Sequence, residues 1–307
     1  MRLLQQFINY FYRYPLAKHQ YIMHMGGYST YNTMIEDQKS MIESSSLLPP
    51  VKSYGDGLEI YFLTGKKYLY QTLFCIHSLV KVSQQQFRFI LIDDGSFDEN
   101  LINLIQKQLP QSEIITQETI NKNLAQQLPL NLFPVLHQKR KEYSHIKKLT
   151  DIHTINGGWK LVLDSDMLFW ANPVELISWL QNPQRPIYMY DCEQSYGYSA
   201  TLMQNLCGSP IPDRVNVGVI GLNSKQIDWV AIEKWVAALE KKEGTSYYLE
   251  QAISAMLLSD SKNQVLDELQ YIVNPTVQQS QRKEEMLHHY VDRSKILYYK
   301  NALDFVN

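Results

Sequence analysis

The sequence predicts an α/β protein in which a doubly wound, mostly parallel sheet is flanked by helices. Strand-like and helix-like segments alternate from residue 58 onward. This order places helical crossovers between parallel strands. Several of the predicted strands also end on acidic residues, at the carboxyl ends where open α/β sheets bind their ligands.

The first part of the main domain carries a regular βαβαβ pattern. Apolar runs predict strands, and apolar residues at helical spacing predict the helices between them. The strands are predicted at 58–65, 87–92 and 113–116, and the helices at 68–82 and 99–109. A long helical stretch is then predicted from Pro134 to Ile155.

Two carboxylates interrupt the apolar segment that runs from Trp159 to Trp170. An apolar run that predicts a buried strand ends on Asp164-Ser165-Asp166, and apolar residues then resume. Alternation along an extended chain turns Asp164 and Asp166 to the same side. Paired carboxylate oxygens suit Mn²⁺ or Mg²⁺, which complete their coordination with water and diphosphate oxygens. The alternative is a solvated turn that contains two aspartates by chance.

The pattern of strands and helices continues after this segment. The predicted elements are a helix at 172–180, strands at 186–191, 215–223 and 269–273, and helices at 227–240 and 247–258. The stretch 196–212 is aromatic and loop-like. It predicts either a lid over an acceptor site or a surface insertion.

Residues 1–50 are predicted to form a helical appendage with a linker, ahead of a main domain at 51–307. Apolar residues recur at helical spacing as far as Phe11, and Ser44–Pro50 is punctuated like a linker. The helix could contact a membrane surface or a protein partner through residues 1–28. Packing on the main domain is favoured, because only three basic residues accompany the apolar stripe.

Composition excludes several classes of protein. The 307 residues are 45% hydrophobic and 20% charged, which is typical of a globular protein, and the net charge of −2 argues against a nucleic-acid partner. Three cysteines with no C-x-x-C spacing argue against a disulfide framework or a thiolate metal site. Neither a membrane span nor a secretory signal is evident. A cytoplasmic protein, which could be peripheral to the membrane, is expected.

Other polar residues extend the candidate site. Asp93 and Asp94 follow the second predicted strand. Lys147 and Lys148 lie on the basic helical stretch before the D-x-D strand, where they could neutralise a diphosphate or form a solvated face. In the strand 215–223, Gly218 would let a ligand approach the backbone.

Three further residues are candidates for metal binding or for the chemistry of the site. His289 could supply the third metal ligand that a D-x-D pair lacks. Glu250 or Asp191 could act as a base, or could stabilise positive charge that develops on a reacting group. An acid at a helix start, such as Glu250, could instead interact with the helix dipole.

Taken in order, these motifs resemble those of nucleotide-sugar-dependent glycosyltransferases of the GT-A fold, over roughly residues 57–300. Asp164-Ser165-Asp166 resembles the metal-binding D-x-D. Asn216-Val217-Gly218-Val219 is similar to the Asn-Ser-Gly-Val strand of the glycogenin-like glycosyltransferase family 8. Glu250-Gln251 resembles that family's Asp-Gln pair near the reacting sugar. The segment from His289 to Lys295 resembles its His-Phe-x-Gly-x-x-Lys.

The resemblance implies a GT-A fold with a mixed, mostly parallel sheet and a nucleotide-sugar donor. It also implies that His289 completes the metal site and that Lys295 meets the diphosphate. Two features depart from family 8: Asp292 replaces the glycine, and no Pro-Trp follows Lys295. Asp93-Asp94-Gly95-Ser96 instead resembles the inverting family 2 enzymes, in which an Asp at this strand end holds the base or ribose. Retention or inversion of the anomeric configuration is therefore left open.

The predicted function is metal-dependent transfer of a sugar from a UDP- or GDP-linked donor to a hydroxyl of a glycan, a lipid-linked acceptor or a protein. A sugar nucleotidyltransferase is disfavoured, because it needs a glycine-rich phosphate loop and only Gly65 follows the first strand. A non-catalytic protein that binds nucleotide sugar or acts as a scaffold is the alternative from another class.

Overall fold

The structure, a computed structural model, describes residues 14–155, 157–259 and 262–306. The apolar positions up to Phe11, on which the amphipathic N-terminal helix is predicted, lie outside these residues. The elements of the first half are α1 (Tyr14–His24), α2 (Tyr28–Ser44), β1 (Leu58–Thr64), α3 (Leu69–Val82), β2 (Phe87–Asp93), α4 (Glu99–Gln108), β3 (Glu113–Ile115), α5 (Gln117–Gln127), α6 (Pro134–Glu142) and α7 (Lys147–His153).

The second half contains short strands and helices in alternation. They are β4 (Trp159–Leu163), β5 (Met167–Phe169), α8 (Val174–Gln181), β6 (Ile187–Tyr190), α9 (Ala200–Cys207), β7 (Val215–Asn223), α10 (Trp229–Glu243), α11 (Leu249–Leu257), β8 (Gln264–Val265), β9 (Tyr271–Val273), α12 (Val277–Arg282), β10 (Leu287–His289) and α13 (Lys295–Ala302). No helix in the described part of the chain is both long enough and apolar enough to cross a membrane.

Seven strands form the main sheet, in the order β3-β2-β1-β4-β7-β6-β8. Strands β1 to β4 run parallel, whereas β7 runs antiparallel to both of its neighbours, β4 and β6. The predicted mixed, mostly parallel sheet flanked by helices is therefore confirmed. Because β7 is reversed, its start lies beside the carboxyl end of β4, where the D-x-D motif follows.

Each central strand is buried on both faces, as expected when helices cover both sides of a parallel sheet. Phe62 belongs to one buried apolar cluster and its neighbour Tyr61 to the other. The same alternation places Leu161 and Leu163 in the first cluster and Val162 in the second. Successive side chains point to opposite faces, so the near-continuous apolar runs supply two helix-covered layers at once.

A separate three-stranded sheet, in the order β5-β10-β9, supports the candidate site. The predicted strand at 269–273 lies here as β9 rather than in the main sheet. Strand β10 pairs antiparallel with β5, and its register sets His289 opposite Met167. Since Met167 directly follows Asp166, this pairing brings a residue from near the C-terminus to the D-x-D motif.

The N-terminal helices share a core with the rest of the molecule. Met25, Met34 and Met41 are buried in the same apolar cluster as Phe62 and Tyr298 of the main domain. Helices α1 and α2 therefore pack on the main domain, as the sequence favours. The boundary near residue 50 stays a prediction.

Several segments differ from the sequence-based predictions. The stretch 134–155 is α6 and α7 separated by Tyr143, whose backbone is extended, and a 3₁₀ turn at Ser144–Ile146. The stretch 196–212 contains helix α9, which begins after the cap residue Ser199 and ends at the left-handed Gly208. The elements without a counterpart among the predicted ones include helices α5, α12 and α13 and strands β8 and β10.

We expect Met41→Ala to lower the free energy of unfolding by about 2–5 kcal/mol, because it leaves a cavity in the shared core. Chemical denaturation would measure this, with the neighbouring and exposed Ile42→Ala as the matched control. A single cooperative transition that shifts only in Met41→Ala is the expected result. Separate unfolding of the N-terminal helices, with the main transition unmoved, would contradict a shared core.

Candidate functional site

The candidate site lies at the carboxyl ends of β1, β2 and β4, where backbone hydrogen bonds hold the D-x-D turn. Asp164 N donates to Gly218 O at 2.8 Å, and Tyr290 N donates to Asp166 O at 3.0 Å. Hydroxyl groups also link the end of β1 to this turn: Thr72 Oγ1 lies 2.7 Å from Thr64 Oγ1 and 2.8 Å from Ser165 Oγ. The turn is thereby fixed to β7, to the end of β10 and to α3.

Asp164, Asp166 and His289 converge at this edge. One ligand atom from each lies within 4.8 Å of the others. His289 Nε2 is 3.3 Å from Asp166 Oδ1 and 3.8 Å from Asp164 Oδ2. Two carboxylates and one imidazole that share a small space are a suitable donor set for a divalent cation such as Mn²⁺ or Mg²⁺.

A buried polar network orients the imidazole of His289. Asn216 Nδ2 donates to Asp191 Oδ2 at 2.9 Å, which turns the amide oxygen of Asn216 toward the histidine. His289 Nδ1 donates to Asn216 Oδ1 at 3.1 Å, and Gly218 N donates to the same oxygen at 2.8 Å. A neutral imidazole with its proton on Nδ1 would direct the lone pair of Nε2 toward the two aspartates and any cation that they hold. Such outer contacts commonly fix the tautomer of a metal-binding histidine.

Gly218 is required for this arrangement because a side chain at its position would occupy the space of the imidazole. A Cβ atom there would lie 2.4 Å from His289 Cε1. Gly221, three residues further along β7, faces the opposite layer. A Cβ atom there would lie 2.5 Å from Trp179 Cη2.

The network continues from Asn216 to the predicted catalytic residues Asp191 and Gln251. Gln251 Nε2 donates to Asp191 Oδ2 at 3.0 Å, and Cys192 N donates to Asp191 Oδ1 at 2.8 Å. Asp191 is buried, and both of its oxygens accept hydrogen bonds. It therefore ties β6, β7 and α11 together beside the candidate metal site.

Lys148 joins Asp164 to Glu250 on the other side of the site. Its Nζ donates to Asp164 Oδ1 at 2.8 Å and to Val217 O at 3.2 Å, and it lies 3.2 Å from Glu250 Oε1. Burial lowers the pKa of Lys148, but the charges of Asp164 and Glu250 outweigh burial and raise that pKa above its ordinary value. All three donor positions of this ammonium are thus used within the protein.

The pKa values of Glu250 and Asp166 are shifted in opposite directions. Burial raises the pKa of Glu250 to about 7, and the charge of Asp164 also raises it while Lys148 lowers it. For Asp166, burial raises the pKa, but Lys295 and His289 outweigh burial and hold it well below its usual range. Lys295 Nζ forms an ion pair with Asp166 Oδ2. Asp166 therefore stays ionised at neutral pH, whereas Glu250 exchanges a proton there.

The predicted nucleotide contacts Asp93, Asp94 and Lys147 come together at the turn after β2. Asp93 Oδ1 accepts from Gly95 N at 2.7 Å, and Asp94 Oδ1 accepts from Ser96 N at 2.9 Å. Lys147 Nζ donates to Asp94 O at 2.7 Å. These contacts order the turn, and nucleotide binding by the three residues stays a prediction.

An aromatic group beside Glu250 was not predicted from the sequence. Tyr143 OH donates to Tyr247 O at 2.5 Å and accepts from Glu250 N at 3.3 Å, so it holds the start of α11. The ring centroids of His145 and Tyr247 are 5.1 Å apart, and those of Tyr247 and Tyr248 are 5.4 Å apart. Burial, followed by the charges of Asp164 and Asp166, raises the pKa of Tyr247. The pair Tyr247-Tyr248 directly before Leu249-Glu250 was the available sequence signal.

The chain matches no protein-family model and none of the curated proteins. Its fold is similar to several solved structures of glycosyltransferases. Mouse xyloside xylosyltransferase 1, in its apo form, aligns over 78% of this chain and 97% of its own, with 15% identity and a TM-score of 0.50. The galactosyltransferase LgtC, solved with donor and acceptor sugar analogs, aligns over 81% of this chain and 95% of its own, with 15% identity and a TM-score of 0.53.

A third structure, the apo form of the bifunctional glycosyltransferase WbbM, aligns over 84% of this chain with 12% identity and a TM-score of 0.53. The present chain corresponds to 50% of that protein's length. At these identities the similarity concerns the fold. The chain has the GT-A fold of these glycosyltransferases, as its motifs indicated.

Proposed function

We propose that this protein is a metal-dependent glycosyltransferase that moves a sugar from a UDP- or GDP-linked donor to an acceptor hydroxyl. The observation that carries the proposal is the convergence of Asp164, Asp166 and His289 at the carboxyl edge of a GT-A sheet. The three similar structures, each of them a glycosyltransferase, support the same class of reaction. A cytoplasmic location and a glycan, lipid-linked or protein acceptor stay predictions.

The chemical demand in such a transfer is stabilisation of the leaving diphosphate. A divalent cation, when bound, neutralises the negative charge that develops there as the anomeric bond breaks. Asp164, Asp166 and Nε2 of His289 would hold it. The ammonium of Lys295, beside Asp166, adds a second positive charge at the same place.

The acids of the site divide into two proposed roles. Asp191 is a positioning residue, because both of its oxygens accept hydrogen bonds and it orients Asn216 and Gln251. Glu250 is the proposed catalytic carboxylate, with Gln251 beside it on α11. Lys148 holds Glu250 against the D-x-D side of the site, and the Glu250 carboxyl group can store or release a proton near pH 7.

Asp166→Ala is expected to abolish metal-dependent nucleotide binding and to reduce turnover by roughly 10²–10³-fold, because it removes a ligand and the partner of Lys295. Calorimetric titration of UDP, GDP, CDP and dTDP, each with and without Mn²⁺, would measure the binding. Asp56→Ala, in the exposed turn before β1, is the matched control. If no nucleotide binds to the wild type with or without Mn²⁺, the scaffold alternative is favoured instead. Binding without release of nucleotide from a sugar donor would indicate a non-catalytic binder.

Gly218→Ala is expected to weaken Mn²⁺ binding at least tenfold, because the added methyl group displaces the His289 imidazole. Gly221→Ala is the matched control on the same strand, and it should lower stability by about 1–3 kcal/mol through overpacking while Mn²⁺ binding is kept. Mn²⁺ titration and thermal denaturation of both variants would separate the two effects. Equal Mn²⁺ affinity in the two variants would remove His289 from the proposed ligand set.

Turnover is expected to rise with pH up to about 7, because Glu250, whose pKa is raised to about 7, loses its proton as the pH rises and a bound cation moves this loss to lower pH. In Glu250→Gln this rise should be lost and turnover should fall roughly 10²-fold. The exposed Glu193→Gln is the control, and it should keep the wild-type profile. An unchanged pH profile in Glu250→Gln would assign the titration to another group.

A further inference from the structure

The segment from Tyr290 to Lys295, here called the 290–295 loop, joins two proposed donor-site residues. It begins directly after His289 and ends at Lys295, the first residue of α13. Both of its ends contact the D-x-D motif, since Tyr290 N donates to Asp166 O at 3.0 Å and Lys295 pairs with the Asp166 carboxylate. The path of this loop therefore determines where the ammonium of Lys295 lies.

One residue of the loop has an unfavourable backbone conformation. Asp292 has a φ of +45°, in the left-handed region that favours glycine. Glycine is also the residue that the resembled motif has at this position. A non-glycine residue keeps such a conformation only where surrounding contacts impose it. The side chain of Asp292 has one such contact.

That contact comes from the N-terminal helices. His24 Nε2, at the end of α1, lies 2.7 Å from Asp292 Oδ1, although the two residues are 268 positions apart in the chain. The end of α1 that carries His24 therefore lies against the 290–295 loop.

The next helix is fastened to the element that follows the loop. Met34 and Met41 of α2 are buried with Tyr298 and Tyr299 of α13. Gln38 Nε2 of α2 also donates to Tyr70 OH of α3 at 2.9 Å. Because α2 is packed on α13 and α3, the end of α1 is presented to the loop from a fixed base.

We propose that helices α1 and α2 form a positioning element of the donor site and that His24 is its positioning residue. Through Asp292, His24 holds the 290–295 loop in the path that sets Lys295 on Asp166. The inference rests on the proposed function, since it assigns the helices a part in binding the metal–diphosphate group. The residues of α1 that face the 290–295 loop would then have an intramolecular role instead of a contact with a membrane or a protein partner.

The test is His24→Ala in the full-length chain. Affinity for UDP and for GDP in the presence of Mn²⁺ should fall about 3- to 10-fold, the loss expected for one partly exposed hydrogen bond to a carboxylate. Amide hydrogen exchange in the 290–295 loop should become faster, with the melting temperature unchanged. His19→Ala is the matched control, because His19 lies on the same helix. Within the described residues, the side chain of His19 forms a hydrogen bond only with Tyr28 OH.

Two further variants distinguish positioning from general packing. His24→Gln, which keeps a side-chain N–H donor, should restore much of the affinity. Asp292→Ala should match His24→Ala, and the double variant should be no weaker than either single one. Additive losses would mean that the two residues act separately.

The possible failures can be told apart. If the wild type binds UDP or GDP with Mn²⁺ and His24→Ala binds equally well with unchanged exchange in the loop, the positioning role is wrong and the proposed function stands. If the wild type binds neither nucleotide with Mn²⁺, the proposed function fails and the donor-site role of the helices fails with it. In that case faster exchange in His24→Ala would show a contact of structural importance only.

Discussion

The structure depends on the containment of negative charge at one edge of the sheet. Asp164, Asp166 and Glu250 lie close together, and carboxylates with little access to water are costly unless cations or hydrogen-bond donors face them. Lys148 bridges two of the three, and Lys295 faces the remaining one. Since these lysines belong to α7 and α13, the ion pairs join elements from both halves of the chain at the same site.

Strand β7 fixes the position of His289 beside these carboxylates. Its reversed direction places Asn216 and Gly218 beside the D-x-D turn, where one residue orients His289 and the other leaves space for it. The three-stranded sheet supplies the imidazole from the opposite side through the pairing of β10 with β5. Both features are consequences of backbone pairing, so the ligand geometry is built into the rigid part of the fold rather than into a mobile loop.

Much of this could be predicted from the sequence, because the relevant signals are local. The D-x-D pair was evident because its two acids interrupt an apolar run, and the fold class followed from the alternation of strands and helices. The contacts of Lys148 within the protein were not evident. Its contact with a diphosphate stays a prediction, whereas its ammonium lies among Asp164, Val217 O and Glu250, which are distant from it in sequence.

Two other differences have separate physical causes. The break at Tyr143 could not be predicted from helical periodicity, because the extended residue carries a hydroxyl that contacts Tyr247 and Glu250 more than 100 positions away. Helix α9, by contrast, had local signals in its Ser199 cap and in Gly208, but its aromatic surroundings indicated a loop. Long-range contacts account for the first difference, and the weight given to competing local signals accounts for the second.

The charges of the site also explain why Glu250 differs from Asp166. Lys295 and His289 face Asp166, whereas Lys148 is shared between Asp164 and Glu250. Burial and the charge of Asp164 raise the pKa of Glu250 to about 7, although Lys148 lowers it. Any cation held by Asp164 and Asp166 would offset the charge of Asp164 and favour loss of the proton from Glu250. By linkage, cation binding and ionisation of Glu250 should therefore promote each other. The proposed catalytic carboxylate is then in its charged form when the proposed metal site is filled.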